Sequence, residues 1–297
     1  MNSPRIAVVI VTWNSAAVLP GLLASLDAGL GRLDRQVIVA DNASADDTVA
    51  IAERSAIGCT IVQTGRNAGY AAAINAGLAA ADPYDAALIL NPDIRLEPGC
   101  VEALYASLRD GVGIAVPRLY LGDGSLAWSL RREPTLLRAL GEAALGRRAG
   151  RHPRLGETVL DEAAYERPTT ADWATGAVML VSTPCLDACG PWDESFFLYS
   201  EETEFALRAR DRGFLTRLTP QARATHLEGE SKVSPRLWAL LAVNRVKLYR
   251  QRHSSAVTAL YWLIVLAREV SRAVLGHPRS RRATVALVRP SALRNSF

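Results

Sequence analysis

The apolar positions of this chain fall into short blocks that alternate between two periods. Ile6–Val11 is an unbroken, mostly β-branched run, the pattern of a strand buried on both faces of a parallel sheet. Leu19, Leu22, Leu23 and Leu26 then recur at helical spacing, and Pro20 suits the first turn, so Leu19–Ala28 is predicted helical. Val37–Ala40 predicts a second strand ending at Asp41. Ser44-Ala45-Asp46-Asp47 offers an N-cap and first-turn acids for a helix through Ser55. A third strand at Cys59–Gln63, an Ala-rich helix over Gly69–Ala81 and a fourth strand at Ala86–Leu90 complete the series. Strand and helix alternating at this rhythm predict an α/β fold, a mostly parallel Rossmann-like sheet with right-handed crossovers and helices on both faces.

Beyond residue 120 the rhythm breaks. Residues 131–154 hold seven arginines and two glutamates, interrupted by Pro134, Gly141, Gly146, Gly150 and Pro153, and this pattern predicts a mobile excursion. Trp173–Val181 returns to a buried strand with Gly176 inside it, and a strand glycine often marks close approach of a ligand. A helix follows Ser200-Glu201-Glu202-Thr203-Glu204 and stops near Gly213. Pro235–His253 sets Leu237, Leu240, Leu241 and Val243 against Arg236, Arg245, Lys247, Arg250 and Arg252, a basic amphipathic helix suited to a membrane surface. Ala256–Ala267 is apolar nearly all round but shorter than the roughly 20 residues that span a bilayer. It is expected to pack on the domain or lie partly in the interface. The last segment, with Arg279, Arg281, Arg282, Arg289 and Arg294 and two prolines, is expected to be flexible.

Charge sharpens this division. From Lys232 onward thirteen Lys and Arg face one acid, Glu269, whereas the first 230 residues carry 21 basic against 29 acidic residues. An acidic body with a basic tail points to an anionic partner for the tail, either phospholipid or nucleic acid. Tail aromatics at Trp238, Tyr249, Tyr261 and Trp262 fall on apolar helical faces and are not interleaved with the charges, which argues against nucleic acid. The N-terminal apolar run is too short for a secretory signal, so a cytoplasmic protein, peripheral at the inner face of the membrane, is expected. The four cysteines lack the neighbours of a zinc site and are expected to be buried free thiols.

In a sheet of this kind ligands bind beyond the carboxyl ends of the strands. There the chain has Thr12 and Asn14, Asp41 and Asn42, Arg66 and Asn67, and Asn91 and Asp93, a set of donors and carboxylates suited to a nucleotide. No GxGxxG follows the first strand and no GxxxxGK[ST] occurs anywhere, which argues against the dinucleotide and P-loop solutions. Acidic stations stand at Asp41, at Asp93 and at Glu201/Glu202/Glu204. Displacing a nucleoside diphosphate calls for a hard oxygen ligand to a divalent cation, for which Asp93 is suited, and for a carboxylate to take the acceptor's proton. Asp41 is better placed to accept hydrogen bonds from a base or ribose.

These blocks, in this order, resemble the inverting family 2 glycosyltransferases with a GT-A fold. The resemblance is carried by Thr12-Trp13-Asn14, Asp41-Asn42-Ala43-Ser44, Arg66-Asn67-Ala68-Gly69-Tyr70, Asn75-Ala76-Gly77 and Leu90-Asn91-Pro92-Asp93. It continues in Thr175-Gly176-Ala177, Asp193-Glu194-Ser195-Phe196-Phe197, Tyr199–Glu204 and a His-x-x-Gly-x-Ser element at His226, Gly229 and Ser231. The Asn-Pro-Asp variant is similar to the rhamnosyltransferase-like branch.

The resemblance covers roughly residues 5–232 and implies a GT-A domain over 1–232, with donor binding in 1–120 and the acceptor and catalytic half in 121–232; the basic amphipathic pattern beyond it predicts a helical membrane-associating region and tail at 233–297. It implies that Thr12, Asn14, Asp41, Asn42, Arg66, Asn67, Gly69 and Asn75 hold the nucleotide sugar. Asn91 and Asp93 would serve a metal-bound diphosphate, and Trp173, Gly176, Asp193 and Glu194 would line the acceptor side. The cofactor would be Mg²⁺ or Mn²⁺, with Asp93 and His226 as candidate ligands; His226 could equally be a loop histidine bonded to backbone. The family's usual base is the Asp of a Glu-Asp pair; here Glu202 stands at that position, ahead of Glu201 as candidate. The implied activity is a single displacement with inversion. It moves a sugar, with dTDP-rhamnose the favoured donor, to a hydroxyl of a glycan or lipid-linked cell-envelope acceptor. The alternatives are a nucleotidyltransferase, against which the absence of a Gly-rich basic loop after the first strand counts, and a nucleotide-binding member without activity.

Overall fold

The computed structural model describes residues 3–227 and 234–289. In chain order the strands and helices are β1 (Arg5–Thr12), α1 (Leu19–Leu30), β2 (Asp34–Asp41), α2 (Thr48–Glu53), β3 (Cys59–Gln63), α3 (Tyr70–Ala79), β4 (Ala86–Leu90), β5 (Ile94–Leu96), α4 (Cys100–Ala106) and β6 (Val112–Leu121). They continue as β7 (Leu130–Arg131), α5 (Leu136–Leu145), β8 (Thr169–Ala171), β9 (Trp173–Ala174), β10 (Val178–Ser182), α6 (Thr183–Cys189), α7 (Glu201–Asp211), β11 (Leu215–His226), α8 (Pro235–Arg252), α9 (Ser255–Val274) and α10 (Pro278–Val288). The chain divides into two compact units. One comprises Met1–Leu130, Glu162–Phe197 and Glu201–Leu227, the other Arg131–Asp161, Leu198–Ser200 and Glu228–Phe297.

The first unit is the expected α/β body. Among the described residues its sheet runs β3-β2-β1-β4-β10-β6-β11-β5, with β8 paired to β11. β3, β2, β1 and β4 are parallel, whereas β10 runs antiparallel to both β4 and β6. The apolar run at Ile6–Val11 explains why β1 is central: Ile6, Val8 and Ile10 enter the core shared with Leu19, Leu22, Leu26 and Leu104, and Val9 faces the other side. On that second face a Cβ at Gly77 of α3 would lie 2.6 Å from Val9 Cγ1, so the small residue sets the helix-to-sheet distance. Each such fully buried Leu or Ile contributes about 1.5–3 kcal/mol.

Two local expectations fail here. The helix expected from Ser44 begins only at Thr48, because Ser44 turns its hydroxyl onto Asp41 and Ala43 takes a positive φ of 58°. The single strand expected over Trp173–Val181 is split into β9 and β10 around Gly176. By contrast α7 ends as expected. Gly213 has φ 89°, its N–H donates to the Arg210 carbonyl, and the Phe214 N–H donates to the Ala209 carbonyl, a Schellman closure.

In the second unit the arginine-rich excursion is ordered. Thr135 caps α5 by accepting from the Arg138 N–H, and Arg132 donates from one nitrogen toward the carbonyls of Gly150, Gly156 and Thr158. Gly141 and Gly150, read as interruptions, are close-packing positions: a Cβ would fall 2.2 Å from the Leu155 carbonyl and 2.8 Å from that of Thr158, respectively. Arg245 of α8 turns inward onto Glu142 and Glu157 instead of facing solvent. The described part of the final segment, expected to be flexible, forms α10, with Ala283, Ala286 and Leu287 buried and Trp262 Nε1 donating to the Leu287 carbonyl at 3.1 Å. Gly229, Ser231 and Arg294 lie outside the described residues. The cysteines are free thiols, three of them buried. No helix among the described residues is long and apolar enough to cross a membrane.

Candidate functional site

Parallel pairing sets Thr12 beside Asp41 at the carboxyl ends of β1 and β2. Thr12 Oγ1 donates to Asp41 Oδ1 at 2.8 Å, Ser44 Oγ donates to the same oxygen at 2.6 Å, and the Ser44 N–H donates to Oδ2 at 2.9 Å. Ser44 also accepts from the Asn14 N–H, while Asn14 Oδ1 accepts from the Ala45 N–H, holding Asn14 at a positive φ of 48°. Asn42 ties the next loop in: its Nδ2 donates to the Gly69 carbonyl and its Oδ1 accepts from Ala68 N–H and Thr64 Oγ1. Asn67 Oδ1 accepts from the Gly69 N–H at 3.3 Å, and Arg66 is exposed beside it. Trp13, which sequence reasoning left without a role, stands 57% exposed at the end of β1.

Gly69 needs to be glycine. Its φ is 95° and a Cβ would meet the Phe197 carbonyl oxygen at 2.4 Å. The next residue, Tyr70, donates its N–H to that same carbonyl at 2.8 Å and its hydroxyl to the Gly176 carbonyl at 3.2 Å. Gly176 in turn lies against Glu202, since a Cβ there would stand 3.2 Å from Glu202 Cβ. Burial pushes the Tyr70 phenol well above its ordinary range, and the charges of Glu201, Glu202 and Asp93 push it further. Tyr70 is therefore a neutral hydroxyl that feels the charge of acids from two separate parts of the chain, Asp93 and the Glu201-Glu202 pair. Its block was visible in sequence, but the residue itself carries no signal beyond following Gly69.

Asp93 is nearly buried, and His226 at the end of β11 brings its Nε2 to 3.3 Å from Asp93 Oδ2. The Leu227 N–H donates to the Asp93 carbonyl, and the Asn91 N–H to that of Ala177. Arg95, absent from the sequence candidates, bonds the Ile94 and Val18 carbonyls; burial lowers its pKa and the Asp93 charge raises it, so a cation sits near that carboxylate. Two side chains suffice for a cation that takes its other ligands from diphosphate and water, and among the described residues no group of three or more metal-ligating side chains occurs.

The acidic cluster divides. Glu201 is buried in the first turn of α7, whereas Glu204 is engaged by Arg208 at 2.8 Å. On the candidate acceptor side, Asp193 Oδ1 accepts from the Ser195 N–H, and Trp173 is half-buried at the start of β9. Asn75 is spent elsewhere: its amide donates to the Trp192 carbonyl and Glu194 Oε1 and accepts from the Trp192 N–H, so it holds the Trp192–Glu194 corner. Two shallow clefts of about 340 and 260 Å³, one at Arg5, Asp34 and Thr60, the other at Ser107, Arg217 and Gln221, lie apart from these strand ends.

A nucleotide-type sheet whose strand ends gather these carboxylates defines a GT-A glycosyltransferase fold, and the comparisons agree. Residues 7–160 match Glycosyl transferase family 2. The chain is 31% identical over 239 residues to the N-acetylglucosaminyl-diphospho-decaprenol L-rhamnosyltransferase of Mycobacterium tuberculosis, covering 75% of this chain and 76% of that protein. It is 27% identical over 210 residues to the low-salt glycan biosynthesis hexosyltransferase Agl10 of Haloferax volcanii, covering 69% and 61%. Among solved structures, the mannosyltransferase PcManGT of Pyrobaculum calidifontis, in complex with GDP-Man and Mn²⁺, superimposes with a TM-score of 0.59 at 16% identity over 99% of this chain and 84% of that one. The 1–349 fragment of S. aureus TarS in complex with UDP gives 0.54 at 13%, over 99% and 92%. The chain belongs to glycosyl transferase family 2 and is a glycosyltransferase.

Proposed function

We propose that this enzyme transfers L-rhamnose from dTDP-rhamnose to a hydroxyl of a lipid-linked, diphosphate-bearing glycan acceptor, by a single displacement that inverts the anomeric carbon. The observation that carries the reading is the run Tyr70–Gly176–Glu202, which brings the candidate base close to a phenol that also feels Asp93. Donor-side and acceptor-side acids thus serve one reaction centre. The sugar and the acceptor class rest on the similarity to the mycobacterial rhamnosyltransferase over three-quarters of both chains.

Within this reading Thr12, Asn14, Asp41, Asn42, Arg66 and Asn67 bind base and ribose, with Trp13 offering its exposed ring to the base. Several of these polar groups already bond one another, so they bind partly by holding the loops in shape. Asp93 and His226 would hold Mg²⁺ or Mn²⁺, which when bound would supply positive charge to offset that of a leaving diphosphate. Glu202 takes the acceptor's proton as the hydroxyl attacks. Glu201 is the second carboxylate at that point, and Tyr70 remains a hydrogen-bond donor throughout the working pH range. Trp173, Gly176, Asp193 and Glu194 border the acceptor, and an acceptor on a lipid carrier would be met at the cytoplasmic face of a membrane.

Thermal stabilisation by a panel of nucleoside diphosphates and nucleotide sugars tests the donor site, since a ligand of the folded state alone raises the melting temperature with its saturation. A shift with dTDP or dTDP-rhamnose that grows with Mg²⁺ or Mn²⁺ is expected. Equal, metal-independent shifts with every nucleotide, or none, would overturn the donor assignment.

A further inference from the structure

In the unit formed by Arg131–Asp161, Leu198–Ser200 and the C-terminal segment, two neighbouring helices leave large apolar side chains in solvent. α9 exposes Leu260, Leu263, Val270 and Val274, the least of them 40% and the most 82% exposed. Ala256 and Ala267, also exposed, fill the gaps in the row. Spacings of three and four residues bring these positions onto one face of a helix about 30 Å long. α5, which packs on α9, exposes Leu137 and Leu140, each about half exposed. Scattered leucines need no explanation, but a row along one helix continued on its neighbour marks a contact surface.

The charges beside this face are of one sign. Arg147, Arg148 and Arg151 follow α5 directly and are exposed, as are Arg281 and Arg282 on α10, which packs on α9. The described residues of this unit carry eighteen Lys and Arg against five acids. Four of those acids are already engaged within the unit: Glu133 by Arg252, Glu142 and Glu157 by Arg245, and Glu269 by Arg268. The apolar face is therefore rimmed by a positive excess that the unit itself does not neutralise.

We propose that the α5–α9 face docks on an anionic phospholipid bilayer, with its leucines and valines in the interfacial layer and the neighbouring arginines on headgroup phosphates. The proposal deepens the reading above, on which it rests for its purpose: a lipid-linked acceptor is met at such a surface. A second copy meeting this face with the same face is the poorer occupant, because it would set an equal positive excess against the rim. An anionic bilayer supplies both the apolar depth and the countercharge. α9 lies in the interface plane, since it does not meet the requirements for a span.

Flotation of the full chain with phosphatidylcholine–phosphatidylglycerol vesicles tests this, with phosphatidylcholine alone as control. The wild type is expected to float with the anionic vesicles only. Leu260→Gln/Leu263→Gln and, independently, Arg147→Gln/Arg148→Gln/Arg151→Gln are each expected to lower the bound fraction about tenfold. Because all five side chains are exposed, melting temperatures are expected to stay unchanged, and the arginine variant keeps the test decisive if the leucine variant proves unstable. A wild type that stays at the bottom, variants that float like the wild type, or a concentration-dependent dimer dissolved by Leu260→Gln/Leu263→Gln would each overturn the proposal. Flotation needs neither donor nor acceptor. Failure to release nucleoside diphosphate would therefore strike the rhamnosyl-transfer reading and leave the docking result standing.

Discussion

His226 Nε2 approaches Asp93 Oδ2 to 3.3 Å, so the last residue of β11 meets the acid that follows β4. The two are 133 positions apart, and β11–β5 pairing brings them together. If both hold the proposed cation, His226→Ala is expected to raise the Mn²⁺ concentration for half-maximal turnover about tenfold or more, by analogy with other losses around metal sites. A metal titration of initial rates checks it. An unchanged metal requirement would mean the imidazole only steadies the carboxylate.

This pair also shows what the sequence could and could not carry. The strand ends were legible because a buried parallel strand leaves an unbroken apolar run and stops at a polar residue, as Ile6–Val11 and Ala86–Leu90 do. The order of β10, β6 and β11 was not legible, because antiparallel insertion beside β4 depends on long-range pairing that leaves no local period. Residues 131–154 depart from the expected mobile excursion for a related reason. Glycines that permit close packing, such as Gly141 against the Leu155 carbonyl, look in sequence like glycines that break an element. The candidate donor residues did gather at adjacent strand ends, apart from Asn75, whose amide is committed to Trp192 and Glu194. Tyr70 gains its interest only from the fold, which joins its hydroxyl to the Gly176 carbonyl and exposes it to the charge of acids distant in sequence.

Asp41 accepts three hydrogen bonds from Thr12 and Ser44 and is almost wholly buried. Asp41→Ala leaves those donors unsatisfied and is expected to cost about 1–3 kcal/mol of stability. It should also weaken nucleotide binding, because the loop that carries Asn14 loses its anchor. Chemical denaturation and nucleotide titration measure the two effects; a variant as stable as the wild type contradicts the loop-holding role.

A Cβ on Gly176 would stand 3.2 Å from Glu202 Cβ, a few tenths of an ångström closer than ordinary contact. Gly176→Ala is expected to displace the candidate base by a few tenths of an ångström and lower kcat about tenfold, with nucleotide affinity unchanged. Steady-state kinetics beside a dTDP titration separate the two. A fall in nucleotide affinity at unaltered kcat would assign Gly176 to the donor side instead.

The Arg245 guanidinium lies between Glu142 and Glu157, and burial pushes both carboxyls up while its charge pulls both down. For Glu142 the result is a lowered value, which contributes stability above the unfolded carboxylate pKa that is lost as pH falls through the folded one. Arg245→Met removes the cation, so both folded values rise above the unfolded one and the ionised forms become destabilising. The expected cost is about 3–5 kcal/mol when both are charged, shrinking as pH falls. The gap in melting temperature between wild type and variant is thus expected to be wider at about pH 8 than at about pH 5. A gap that widens on acidification would contradict this sign.

The most direct test of the central claim is the release of dTDP from dTDP-rhamnose in the presence of a polyprenyl-diphosphate N-acetylglucosamine acceptor and Mn²⁺, comparing wild type with Glu202→Gln. The account predicts acceptor-dependent release by the wild type and a loss of about 10²-fold or more in kcat for the variant, with dTDP affinity retained. Near wild-type turnover by Glu202→Gln would remove Glu202 as the base, and no acceptor-dependent release by folded wild type would contradict the proposed transfer itself.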